Sequence, residues 1–133
     1  MTETDIRNML KLMEHSVISR DVEGLMSHLS EDAEIMLEMP ESMGGKMELD
    51  VNSYKSMLAQ SWALPAKFTY EVRNINIRMG PEGKTASASD TTLESVEING
   101  MVISSKSEEQ LTIVSDNGKP LITGIVAKVE VKF

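Results

Sequence analysis

Between Thr2 and Met39 the chain reads as a long amphipathic helix, a sharp break at Arg20-Asp21, a short second helix and then a strand. Ile6, Met9, Leu10, Met13, Val17 and Ile18 recur at helical spacing and form one apolar stripe. Thr2 or Thr4 can cap the start, and Asp5 lies near the positive end of the helix dipole. Asp21 is suited to cap the second helix, in which Val22, Leu25 and Leu29 share a face. Ser30-Glu31-Asp32 is expected to end that helix, and Ala33 to Met39 reads as a strand with Ala33, Ile35, Leu37 and Met39 on one side. An opening of this kind offers later strands an apolar surface to wrap around.

The remainder supplies those strands. Pro40 to Leu49 reads as a loop, after which Asp50 caps a third helix running to about Ala63, with Val51, Tyr54, Leu58 and Trp62 on its inner face. Pro65 stops it, because proline disfavours helix in the residue before it. Phe68 to Met79, Lys84 to Ile98, Met101 to Ser115 and Leu121 to Val131 read as strands. Their connections are Gly80-Pro81-Glu82-Gly83, then Asn99-Gly100, the strongest hairpin signal in the chain, then Asp116-Asn117-Gly118-Lys119. Helices followed by long antiparallel strands predict an α+β fold in which a curved antiparallel sheet wraps around N-terminal helices. Strands of roughly fifteen residues are long against the usual five or six, so they must twist and bend, leaving a cone-shaped interior. With no linker, repeat or low-complexity tract, residues 1–133 read as a single domain.

Charge and composition narrow the partners. The formal net charge of -8 disfavours nucleic acid and anionic membranes, which are bound chiefly through clustered Lys and Arg. The absence of cysteine removes disulfides, thiolate metal sites and cysteine nucleophiles. No apolar run approaches the ~20 residues needed to cross a bilayer, and Met1-Thr2-Glu3-Thr4-Asp5 lacks the segments of a signal peptide, so the expected compartment is the cytoplasm.

Several local motifs resemble the nuclear transport factor 2-like superfamily: Ser19-Arg20-Asp21 at the end of the first helix, Gly24-Leu25, and Leu29 to Ile35 running into the strand. Gly45 followed by the Asp50 to Leu58 helix, and Asn117-Gly118-Lys119 before the last strand, extend the resemblance over nearly the whole chain. The resemblance implies a cone-shaped α+β fold, dimeric through the outer sheet face, with a pocket between sheet and helices. That superfamily includes ketosteroid isomerase, polyketide cyclases, dehydratases, epoxide hydrolases and members without known activity, so fold says little about chemistry. The resemblance to the isomerase implies that its oxyanion-hole tyrosine falls near Met13, its general base near Leu37 or Glu38 with Leu37 the better match, and its second oxyanion acid near Glu109, the one position of the three with fitting chemistry. Pro120 replaces a tryptophan that many members carry before the last strand.

Glu109 alternates with Leu111 and Ile113, so all three should face inward unless a bulge flips the register. A carboxyl inside an apolar cone has its pKa raised and can serve as acid, base or hydrogen-bond donor near neutral pH. Asp90, in a strand rich in Thr and Ser (Thr85, Ser87, Ser89, Thr91, Thr92), is the second candidate acid, against the alternative of an outward-facing polar strand. Tyr54 and Trp62 can line the pocket or simply pack the core, and Met13, Met39 and Leu111 complete the candidate ligand-contacting set. Two histidines, His15 and His28, on early helices support neither a metal cluster nor a histidine-based nucleophilic triad, and no cofactor motif is present.

Three readings follow. The first is a homodimeric domain binding a small, mostly apolar molecule that bears a carbonyl or hydroxyl. The second is a cofactor-free lyase, isomerase or hydrolase using Glu109 or Asp90 in the same pocket. The third is a protein-interaction module whose cone is filled by side chains. Internal volume separates the first two from the third.

Overall fold

The computed structural model describes residues 1–133. Helices α1 (Glu3–Ile18), α2 (Val22–Met26) and α3 (Val51–Trp62) are combined with strands β1 (Leu29–Glu38), β2 (Lys46–Leu49), β3 (Lys67–Met79), β4 (Thr85–Ile98), β5 (Met101–Asp116) and β6 (Lys119–Lys132).

Each helix starts where a side chain can satisfy its free amides. The Thr2 hydroxyl accepts from the Asp5 N–H while the Asp5 carboxylate accepts from the Thr2 N–H (3.2 and 2.8 Å), a reciprocal capping box for α1. Asp21 accepts from the Gly24 N–H at 2.9 Å and Asp50 from the Ser53 N–H at 2.7 Å. Gly24 is required by close approach: a Cβ there would run into the Asp21 side chain and come within 2.8 Å of the Ser16 hydroxyl. Asn99-Gly100 and Asn117-Gly118 both have positive φ (52° and 79°, 50° and 83°), the conformation a two-residue turn between twisted strands needs.

The six strands form one sheet in the order β2-β1-β6-β5-β4-β3. All pairings are antiparallel except β1 with β6, which is parallel, so the sheet is mixed. Register shifts between Arg73 and Asn76 on β3, where Asn74 has φ 57°, and at Thr112/Ile113 against β6 bend the sheet. The concave face carries Ile35, Leu37, Ala86, Ala88, Leu111, Ile113, Ile122 and Ile125, buried under the α1 stripe of Ile6, Met9 and Leu10.

Beyond shifts of one or two residues at strand ends, two segments differ from the sequence reading. Leu29 to Asp32 belongs to β1 rather than to the end of α2, because Ser27 closes the helix with its hydroxyl on the Gly24 carbonyl (2.6 Å) and the Ile122 N–H donates to the His28 carbonyl at 2.8 Å. That tertiary bond draws Leu29 into register with Ile122. The expected loop from Pro40 to Leu49 contains a 3-10 turn at Glu41–Met43 and the strand β2, paired with β1 from Ile35↔Leu49 to Glu38↔Lys46. Its signal was the alternation Lys46-Met47-Glu48-Leu49, with Met47 and Leu49 turned toward the core.

Candidate functional site

The hollow between the helices and the concave face is mostly filled but not closed. A cavity of about 60 Å³ remains, walled by α1 (Leu10, Met13, Glu14, Val17), Leu25, Leu29, Tyr54 of α3, and inward residues of the sheet. Such a space holds a few water molecules, and it is far below the several hundred Å³ of sites for drug-sized ligands.

The polar groups of this cavity converge on one spot. In the β4–β5 pairing Asp90 stands directly opposite Glu109, and the next inward pair is Ala88↔Leu111. No register shift interrupts that pairing from Thr85↔Val114 to Ile98↔Met101, so Glu109, Leu111 and Ile113 share the inner face as the alternation indicated. Directly opposed side chains in an antiparallel pair have Cβ atoms about 5 Å apart, and two like charges there repel. The carboxyls therefore cannot both ionise without cost. Desolvation, reinforced by the charge of Asp90 and by a hydrogen bond to it, raises the Glu109 pKa well above the usual glutamate range. Desolvation also raises Asp90, with the charges of Glu108 and Glu14 acting in the same direction and the hydrogen bond with Glu109 opposing them. Asp90 Oδ1 is buried without a partner among the ordinary donors. A proton kept on Glu109 gives the pair a donor, so the neutral acid is Glu109 and the carboxylate is Asp90.

Two phenols flank the acids. Tyr54 and Tyr70 are held in their neutral forms chiefly by desolvation, and ionisation of Glu109 would disfavour either phenolate further. The floor thus offers a neutral acid, a carboxylate and two phenols inside walls that are apolar except for Glu14. It can donate to, and accept from, a single oxygen-bearing ligand.

Of the residues singled out from sequence, Glu109, Asp90, Met13, Tyr54 and Leu111 all line this cavity. Trp62 and Met39 do not. Trp62 ends α3, beyond the reach of the inner pocket, and lies in a separate cleft beside Arg20 and Phe68. Met39 follows the last residue of β1, where its N–H donates to the Gly45 carbonyl at 3.0 Å, and its side chain packs against the edge of the core. The hydroxyl-rich run around Asp90 does not line this cavity: Thr85 and Ser87 are exposed, and the Thr91 hydroxyl donates to Glu108 at 2.9 Å on the opposite face. Tyr70 was missed, although Phe68, Tyr70 and Val72 alternate in the sequence and Val72 also lines the cavity. No group of three His, Asp or Glu side chains is arranged to hold a metal ion.

No family model matches the sequence, and no curated protein matches it. Solved structures do. One, a conserved protein from Planctomyces limnophilus, superposes with a TM-score of 0.81 at 13% identity over 98% of this chain and 97% of its own. A nuclear transport factor 2-like protein from Cytophaga hutchinsonii gives a TM-score of 0.73 at 13% identity, over 98% of this chain and all (100%) of its own. The chain has the nuclear transport factor 2-like fold. A ketosteroid isomerase-like protein from Erwinia carotovora shares that fold with a TM-score of 0.67 at 11% identity, over 95% of this chain and 94% of its own. Within the fold, Leu37 is a buried core residue, and the acid that faces Glu109 in this cavity comes from Asp90 on β4.

Proposed function

We propose that the cavity binds a small, mostly apolar molecule through one carbonyl or hydroxyl oxygen, with Glu109 as the neutral hydrogen-bond donor, its one O–H turning from Asp90 to the ligand. The supporting observation is the Asp90↔Glu109 pair on an otherwise apolar floor beside Tyr54 and Tyr70. Met13 makes the wall adjustable, since an unbranched thioether can change rotamer and enlarge a volume of about 60 Å³. The residual volume also argues against a cone filled completely by side chains. The test is a thermal-shift and calorimetric titration with cyclopentanone and cyclopentanol. Wild type should bind one of them, Glu109→Gln should change the preference between ketone and alcohol, and Met13→Ala should admit larger rings. Identical behaviour of wild type and Glu109→Gln would remove the reading.

A second reading, proton-transfer catalysis, is favoured by the unequal proton affinities of the two acids. One can protonate a ligand oxygen while the other takes a proton from an adjacent carbon, without a cofactor. In this reading turnover requires Asp90 ionised and Glu109 protonated, giving a bell-shaped pH profile that belongs to the pair. Homodimerisation through the outer sheet face belongs to the same proposal, supported by the exposed Val102 and Val126 on that face. Light scattering should then report twice the chain mass, and Val126→Lys should halve it.

A further inference from the structure

Between the α1 C-terminus and the outer end of α3 lies a second, more open cleft of about 360 Å³, which the function proposed above does not use. Its centre is Arg20. The chain turns between α1 and α2 with Arg20 at φ 56°, a left-handed conformation uncommon for a residue other than glycine. Its guanidinium carbon lies 3.5 Å from the centroid of the Phe68 ring and 5.3 Å from that of Trp62. Only 19% of the side chain is exposed. The nearest anion, Glu94, is 3.8 Å from Nη1, too far for a hydrogen bond, and Nη1 is buried with no partner at all.

A buried guanidinium N–H without an acceptor is costly, and the surroundings do not relieve it. Apart from Ser61, the remaining walls, Leu64, Val96, Ile98 and Ile103 among them, are apolar. The charge balance sets what can relieve it. Arg20 and Glu94 already neutralise each other, so a bound carboxylate would add an unmatched charge beside Glu94 in a half-buried site. A neutral acceptor adds none. The aromatic surfaces and the cleft size suit a planar ligand. We propose that this cleft is a second ligand site, taking a flat, neutral molecule that presents a carbonyl or amide oxygen to Arg20 Nη1. Desolvation pulls the Arg20 pKa down while Glu94 opposes it, and desolvation raises Glu94 while Arg20 opposes it, which is the pattern of a pair held out of water.

The site contains its own reporter, because Trp62 is the only tryptophan in the chain. Benzamide, titrated against the full chain, should change Trp62 fluorescence saturably, and benzoate of matched shape should bind more weakly. Arg20→Met should weaken benzamide about tenfold or more, the scale of a lost charge-assisted hydrogen bond. Glu94→Gln should reverse the order and favour benzoate, because it leaves Arg20 as an unmatched cation. Should Arg20→Met unfold by stranding Glu94, the Arg20→Met/Glu94→Gln double variant, which holds no lone charge, takes its place. The absence of a saturable response, a stronger response to benzoate in wild type, or unchanged benzamide affinity in the folded Arg20 variant would each overturn the proposal.

Discussion

Replacing Glu109 by Gln tests the central claim about the cavity, that one carboxyl keeps its proton where an exposed glutamate would lose it. Gln has nearly the same shape, donates to Asp90 through its amide, and has no proton to release. The sign of the effect follows from linkage. Glu109 has a raised pKa in the folded chain, so the folded state binds more protons than the unfolded one above the ordinary glutamate range. Wild-type stability relative to Glu109→Gln should therefore be highest at acid pH and fall as pH rises, until Glu109 itself ionises. While the folded chain holds that one extra proton, the slope is about 1.4 kcal/mol per pH unit. For a domain of this size that corresponds to roughly 4–6 °C of Tm per unit. Urea denaturation of both proteins at half-unit steps from pH 4 to 8, followed by far-UV circular dichroism, measures it directly. The two stability curves should nearly meet at the acid end and diverge above it, with the variant the more stable protein at neutral pH. Parallel curves would refute the argument, since they would mean that Glu109 titrates as an exposed residue and that the acid pair is not desolvated.

Other expectations test different parts of the molecule. Burial lowers the His28 pKa, so the folded state binds fewer protons than the unfolded one below the usual histidine range; stability should fall as pH drops through about 6.5, and His28→Gln should abolish that component of the acid limb in the same denaturation series. Ile113, fully buried where β5 meets the register shift, should cost about 2–5 kcal/mol on change to Ala, read from urea midpoints at constant m-value. Asp50→Ala removes the acceptor for the Ser53 N–H and should cost about 1 kcal/mol, whereas Asp50→Asn should restore most of it. Gly24→Ala should destabilise the α1–α2 junction because its methyl group meets the Asp21 side chain and Ser16 Oγ, measured by thermal melting.

The nearest-neighbour chemistry of the chain was legible residue by residue. Thr2, Asp21 and Asp50 cap the helices they precede, Asn99-Gly100 and Asn117-Gly118 turn the hairpins they mark, and the alternation about Leu111 turns Glu109 inward. These are local matters: a cap, a turn or a face depends on side chains within a few positions, and the strand period of two carries over without loss where no bulge intervenes.

What depended on partners far along the chain was not legible. The sequence could nominate Asp90 and Glu109 separately, but only the β4–β5 register makes them direct opposites and so ties their protons together. Leu29 looked helical until Ile122, more than ninety residues later, claimed it for the sheet through the His28 carbonyl. The sequence reading expected an antiparallel sheet throughout, and the parallel contact of β1 with β6 emerged only in three dimensions. Nor could it show how much of the cone the side chains fill, or that Arg20 would turn inward against Phe68 while Trp62 left the inner pocket. Local conformation is set by each residue's own backbone and near neighbours. Charge coupling, void volume and burial arise from distances between residues that only folding brings together.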